Sequence, residues 1–228
     1  MRPLLKICGI TEEATLALIA ERNLHVDQLG FVFAESRRKV TPAEWERLAH
    51  TVPFGARSVG VFVNPSLQEI AEVFRAAPLD IIQLHGDETP EFCREVRRRF
   101  KCAVTKTFSI SDGKEERRGQ DGTRHVIEYA GTVDYVLLDT ACGARRGGTG
   151  RTFAWERIEE YHTWAKAHNL PLLVAGGLNA GNIAALLRRY RPDGVDISSG
   201  AETQGRKDIE KIQTIIERMD EYEQSAVE

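Results

Sequence analysis

Residues 80–108 read DIIQLHGDETPEFCREVRRRFKCAVTKTF. The stretch opens on a short apolar run, 80–84, and closes on another, 103–108. Runs of this length are too short for a buried helix and suit strands covered on both faces. Between them Thr89 stands before Pro90. A threonine side chain accepts one of the orphan N–H groups of a helix start, and proline just inside that start has no N–H to lose. EFCREVRRR then continues as an amphipathic segment. The stretch is therefore strand, helix, strand, with the strands parallel.

The same unit recurs in both directions along the chain. Further strands are expected over 4–8 (LLKIC), 29–33 (LGFVF), 57–62 (RSVGVF), 134–138 (DYVLL), 171–175 (PLLVA) and 194–197 (GVDI). Helix starts are expected at Thr11 before EEATLALIAER, Thr41-Pro42 before AEWERLAH, Pro65-Ser66 before LQEIAEVFRA, and Asn179 before AGNIAALLRRY. Two more helices are expected over 153–167 and 207–220. Residues 111–130, where two glycines and a charge run break any helical pattern, read as a mobile loop with a short helix at its end. Strand and helix alternate eight times without a composition break, linker or low-complexity segment. That predicts an α/β fold, a single (β/α)8 TIM barrel domain over 1–228, in preference to an open doubly wound sheet. The first strand runs into Cys8-Gly9-Ile10-Thr11, which is no dinucleotide-binding GxGxxG loop.

Composition narrows the partners. The 228 residues are 42% hydrophobic and 29% charged, with a formal net charge of -3. Such a chain has no basic surplus for a nucleic acid backbone, so no nucleic acid partner is expected. A small phosphate stays possible, because backbone N–H groups hold one without net charge. No stretch approaches the ~18 apolar residues that cross a bilayer, and the N-terminal apolar run is too short for a signal peptide. The four cysteines, Cys8, Cys93, Cys102 and Cys142, form no CxxC pair. Reduced thiols, a cytoplasmic location and no membrane contact follow as expectations. Phe54, Phe62 and Phe74 fit either a core or an interface, and the oligomeric state is expected to be monomer or homodimer.

Barrel active sites lie at the C-terminal ends of the strands. Those positions hold Cys8 after strand one, Ser36-Arg37-Arg38 beyond strand two, His85-Gly86 after strand four and Asp139 after strand six. Glycine-rich loops follow strands six, seven and eight: Gly147-Gly148-Thr149-Gly150, Gly176-Gly177 and Ser199-Gly200. Three such loops in one sector point to a phosphate cradle, whereas one alone would be an ordinary tight turn. A thiolate at Cys8 could take a proton from carbon and a protonated Asp139 could give one to oxygen, provided the thiol pKa is lowered and the carboxyl pKa raised. Cys8 reads as well as a small buried hydrophobe, and Asp139 as a cap. Arg38 lies in a basic cluster that would usually be a solvated face, though one arginine at a barrel mouth can bind a carboxylate through two hydrogen bonds. No histidine spacing suggests a metal site.

The chain resembles the phosphoribosylanthranilate isomerases along nearly its whole length. The resemblance is carried by Lys6-Ile7-Cys8-Gly9-Ile10-Thr11, Gly30-Phe31-Val32-Phe33 with Ser36-Arg37-Arg38, and Val59-Gly60-Val61-Phe62-Val63-Asn64. It continues through Gln83-Leu84-His85-Gly86-Asp87-Glu88, Leu138-Asp139-Thr140, Gly147-Gly148-Thr149-Gly150, Ala175-Gly176-Gly177-Leu178 and Asp196-Ile197-Ser198-Ser199-Gly200. It implies an Amadori rearrangement of a phosphoribosylated anthranilate in tryptophan biosynthesis, with no cofactor and no metal. Asp139 is implied as general acid and Cys8 as general base. Arg38 is implied to hold the substrate carboxylate, and backbone groups around Gly148, Thr149, Gly176, Gly177, Ser199 and Gly200 the phosphate. His85 would line the pocket or brace its strand. The chain departs from the family in having Arg37 where proline is frequent, Ala201 where valine is usual, and its own stretch over 141–146. The alternatives are an aldose–ketose isomerase of the histidine-pathway type, for which an aspartate would be expected in place of Cys8, and a non-catalytic phosphate-binding barrel.

Overall fold

A computed structural model of the protein describes residues 2–110, 126–140 and 155–225. Eight strands form where the apolar runs lie: β1 (Leu4–Cys8), β2 (Gln28–Val32), β3 (Arg57–Phe62), β4 (Ile81–Leu84), β5 (Ala103–Ile110), β6 (Tyr135–Thr140), β7 (Leu172–Ala175) and β8 (Gly194–Ile197). They run parallel and close in sequence order, with β8 pairing β1, into one barrel. Around them lie α1 (Glu13–Glu21), α2 (Pro42–Ala49), α3 (Leu67–Ala76), α4 (Pro90–Phe100), α5 (Ile158–Ala167), α6 (Ile183–Tyr190) and α7 (Ile209–Ser225). A hairpin of β9 (Glu202–Thr203) and β10 (Arg206–Lys207) follows β8. Among the described residues no helix is long and apolar enough to cross a membrane.

The alternation of side chains along each strand sorts the barrel into two cores. Outward residues such as Leu5, Ile7, Leu29, Val104, Val136 and Leu172 pack against the helices in one continuous cluster. Inward residues make smaller clusters, one of Cys8, Val59, Val61 and Ile81 and one of Leu137, Leu173 and Ala175. Lys6 and Asp196 are in register on β1 and β8 and join inside the barrel. Phe62 is core and Phe74 packs against it, while Phe54 is fully exposed.

Thr41 and Ser66 cap α2 and α3 with reciprocal capping boxes, and Thr89 caps α4. Two expected starts are corrected. The residue capping α1 is Glu12, not Thr11, and its side chain makes no capping bond. Asn179 does not start α6: its side chain accepts from Gly181 N, closing a turn, and the helix begins four residues later behind Asn182. A polar side chain that can bond two residues onward competes with capping. The expected helix over 153–167 is α5 preceded by a 3-10 turn at Trp155–Arg157. The loop expected at 111–130 lies, over 111–125, outside the described residues.

The foot of the barrel carries a fourfold device. An aspartate immediately precedes each even strand, and its Oδ2 accepts the backbone N–H at the foot of the odd strand before it. Asp27 takes Leu5 N at 2.8 Å, Asp80 takes Ser58 N at 2.8 Å, Asp134 takes Val104 N at 2.9 Å and Asp193 takes Leu172 N at 2.8 Å. These bonds set neighbouring strands level at one end and so fix which residues reach the opposite end, where the mouth opens.

At the mouth, the loop carrying His85 is pinned by a buried ion pair. Lys106, on the outward face of β5, places Nζ 2.8 Å from Glu88 Oε2 and 2.7 Å from Gly86 O. Glu88 in turn accepts Asn64 N and Gly86 N, tying the exits of β3 and β4 together.

Candidate active site

Cys8 ends β1 facing inward, 9% exposed. Its neighbour across β2 is Gly30, where an added Cβ would stand 2.8 Å from the thiol sulfur. Glycine there is what lets the thiol lie against the sheet. Burial pushes the Cys8 thiol up; Lys6 pulls it down, Asp196 pushes it up further, and Lys207 pulls it down, with the balance upward. The lowered thiol pKa that the sequence reading made a condition of base catalysis is not supplied by the charges around Cys8. Desolvation of a thiolate here outweighs the pull of the nearby ammonium groups.

Asp139 stands near the end of β6, three strands round the ring from β1. Its Oδ2 lies 3.3 Å from His85 Nε2, and His85 Nδ1 lies 3.3 Å from Gln83 Nε2. Gln83 also donates to Thr107 Oγ1 at 3.1 Å inside the barrel. Thr107, Gln83, His85 and Asp139 thus form a chain of polar contacts that ends at the mouth.

Arg38 folds over the β1 exit, so closely that a Cβ on Gly9 would stand 2.3 Å from its Cδ; Gly9 has φ +86. Its guanidinium grips Glu202 at both oxygens, Nε to Oε1 at 2.6 Å and Nη2 to Oε2 at 2.8 Å. Lys207 Nζ binds Glu202 Oε1 at 2.7 Å and Arg37 Nη2 binds Oε2 at 2.9 Å. Of the two arginines, Arg38 is the enclosed one at 20% side-chain exposure, against 63% for Arg37. Burial alone would raise the Glu202 carboxyl, but its bonds from Arg38 and Lys207 bring it down to about 2.

Glu202, Lys207, Lys6, Asp196 and Gln83 were not singled out for chemistry in the sequence. The signal available was the close spacing of opposite charges, Glu202 with Lys207, around the tight turn at Gly205 (φ +82). For Lys6 and Asp196 it was a charge inside an otherwise apolar strand. Neither signal names a partner.

Gly176 and Gly177 leave β7 with φ of 99 and 63, a conformation other residues adopt only under strain. Ser199 and Gly200 form a 3-10 turn after β8. The two loops meet backbone to backbone, since a Cβ on Gly200 would fall 1.9 Å from Leu178 O. Among the described residues, no oxygen takes the N–H of Gly177, Ser199 or Gly200, which leaves these donors for an anion. Gly148 and Thr149 lie outside the described residues. Among the described residues no group of three or more His, Cys, Asp or Glu is arranged to hold a metal ion.

Three comparisons bear on this site. Residues 5–218 match the family model for N-(5'phosphoribosyl)anthranilate (PRA) isomerase. The N-(5'-phosphoribosyl)anthranilate isomerase of Brevibacillus brevis is 43% identical over 220 residues, 96% of this chain and 95% of that protein. Among solved structures, phosphoribosylanthranilate isomerase from Thermotoga maritima superposes with a TM-score of 0.78 at 32% identity, covering 96% of this chain and 99% of that one. A phosphoribosylanthranilate isomerase in complex with reduced 1-(o-carboxyphenylamino)-1-deoxyribulose 5-phosphate gives 0.74 at 29% identity, covering 96% and 99%.

Proposed function

The chain belongs to the N-(5'-phosphoribosyl)anthranilate isomerase family, and on that premise we propose that Asp139 and Cys8 are the acid and base of its reaction. The family's activity is an isomerisation in tryptophan biosynthesis, so the scaffold and histidine-pathway alternatives fall away. Cys8 in the place where an aspartate was expected for the latter agrees.

The substrate is N-(5'-phosphoribosyl)anthranilate. Asp139 protonates the ribose ring oxygen as the C1'–O bond breaks, and the anilino nitrogen lone pair forms the C1'=N iminium. Cys8, as thiolate, removes the C2' proton. That C–H pair becomes the C1'=C2' bond while the iminium pair returns to nitrogen. The resulting enol then gains a proton at C1' and gives up its C2' hydroxyl proton, becoming the C2' ketone and yielding 1-(2-carboxyphenylamino)-1-deoxyribulose 5-phosphate. Electrons move only within the substrate, so the step calls for no external redox group. Arg38 takes the anthranilate carboxylate through the guanidinium edge that Glu202 leaves free. The N–H groups near Gly176, Gly177, Ser199 and Gly200 hold the phosphate, joined by the loop of Gly148 and Thr149. His85 lines the pocket beside Asp139.

The observation that carries this reading is the placement of Cys8 and Asp139 on strand ends of one mouth, where the loops after β7 and β8 bring the N–H groups of Gly177, Ser199 and Gly200. Decay of the substrate's anthranilate fluorescence tests it. The parent protein is expected to turn over quickly, and Cys8→Ser and Asp139→Asn each to lose about two to four orders of magnitude in kcat. Undiminished turnover by Cys8→Ser would remove Cys8 from the base role while leaving the reaction in place.

A further inference from the structure

The inward face of β1 carries two polar groups two residues apart, Lys6 and Cys8. Lys6 is 1% exposed, and its Nζ lies 2.7 Å from Asp196 Oδ2 on β8. Asp196 Oδ1, also sealed from solvent, has no partner among the described residues. A buried ion pair contributes little net stability, because desolvating both charges offsets their attraction. The acid and base steps above make no use of it either. Its position, one step below the end of β1, suggests that it serves the thiol.

We propose that Lys6 is a positioning residue for Cys8: its ammonium, anchored by Asp196, supplies the charge against which the Cys8 thiolate forms. The inference rests on the reading of Cys8 as the base. The charged groups that face Cys8 are Lys6 on its own strand, Asp196 on β8, Lys207 on β10 and Arg38 beyond β2. Glu202 occupies both Arg38 and Lys207. Lys6, Arg37, Arg38 and Lys207 outnumber Asp196 and Glu202, and a thiolate would offset part of that positive excess. Of these groups Lys6 acts most strongly on the thiol. Burial pushes the Lys6 ammonium down, but Asp196, 2.7 Å away, and Cys8 turn the balance upward. Lys6 is thus a fixed cation and no rival base.

The assignment makes predictions of opposite sign. Removing the cation with Lys6→Gln should raise the pH at which Cys8 ionises, and removing the carboxylate with Asp196→Asn should lower it. The readout is the rate of Cys8 alkylation by iodoacetamide against pH, followed by mass spectrometry of the Cys8 peptide, which needs no turnover. The midpoint should move up by roughly one unit or more in Lys6→Gln and down in Asp196→Asn, with the rising limb of kcat/KM following each. If either single variant fails to fold, Lys6→Gln/Asp196→Asn leaves no unpaired buried charge and should show a smaller upward shift. Unchanged midpoints, or shifts of both single variants in one direction, would overturn the role of Lys6 even where kcat falls. Full activity of Cys8→Ser would instead overturn the base assignment, while the alkylation midpoints would still report the Lys6–Cys8 coupling.

Discussion

His85 Nε2 stands 3.3 Å from Asp139 Oδ2, joining the exit of β4 to the exit of β6 across the strand between them. With the Gln83 amide nitrogen 3.3 Å from Nδ1, the ring is set to accept there, which puts its proton on Nε2, the nitrogen beside Asp139. One Asp139 oxygen thereby lies beside the imidazole. His85→Ala should lower kcat by roughly ten- to a hundredfold with little change in KM, since it loosens the acid without removing it. A KM rise at constant kcat would instead make His85 a binding residue only.

Gly30 tests how closely Cys8 must lie against β2. Gly30→Ala places a Cβ 2.8 Å from the thiol sulfur, nearer than side chains tolerate. The expected result is a folded protein whose kcat falls at least tenfold, because the sulfur must move away from the substrate. Steady-state kinetics with circular dichroism as a fold control would read it, and wild-type kcat would show that the sulfur has room to shift.

Glu202 gives a pH signature in stability. Its folded carboxyl titrates at about 2, below the ordinary 4.5, so it contributes stability that is complete above pH 4.5 and lost as pH falls toward 2. The shift corresponds to about 3 kcal/mol for this buried group. Glu202→Gln should lower stability at pH 7 and flatten the acid limb of a urea-unfolding profile between those pH values. The same variant should raise KM, because Arg38 loses the carboxylate that aims it.

The aspartates at the barrel foot are expected to matter for stability and not for turnover. Asp80 accepts both Ser58 N and Ser58 Oγ at 2.8 Å. Asp80→Ala leaves a buried N–H unpaired and should cost about 1–3 kcal/mol in urea unfolding. Its kcat/KM should remain near that of the parent, and a large loss there would mean that strand level at the foot is transmitted to the mouth.

Local pattern and distant contact divided the description of this protein unevenly. The eight strands lie within two residues of the apolar runs that announce them, and three of the capped helices begin where Thr41, Ser66 and Thr89 stand. Strand ends alone brought Cys8, Asp139, Arg38 and His85 to one rim, because a closed parallel barrel leaves all its C-terminal strand ends on one side. Such features depend on a few neighbouring residues, so one chain segment suffices to read them. The upward push on the Cys8 thiol, the enclosure of Arg38 by Glu202 and the Lys6–Asp196 pair did not have this character. Lys6 and Asp196 are 190 residues apart, and Arg38 and Glu202 are 164 apart. Desolvation and Coulomb interaction act through space, so the charge balance of the mouth exists only once the barrel has closed β8 onto β1.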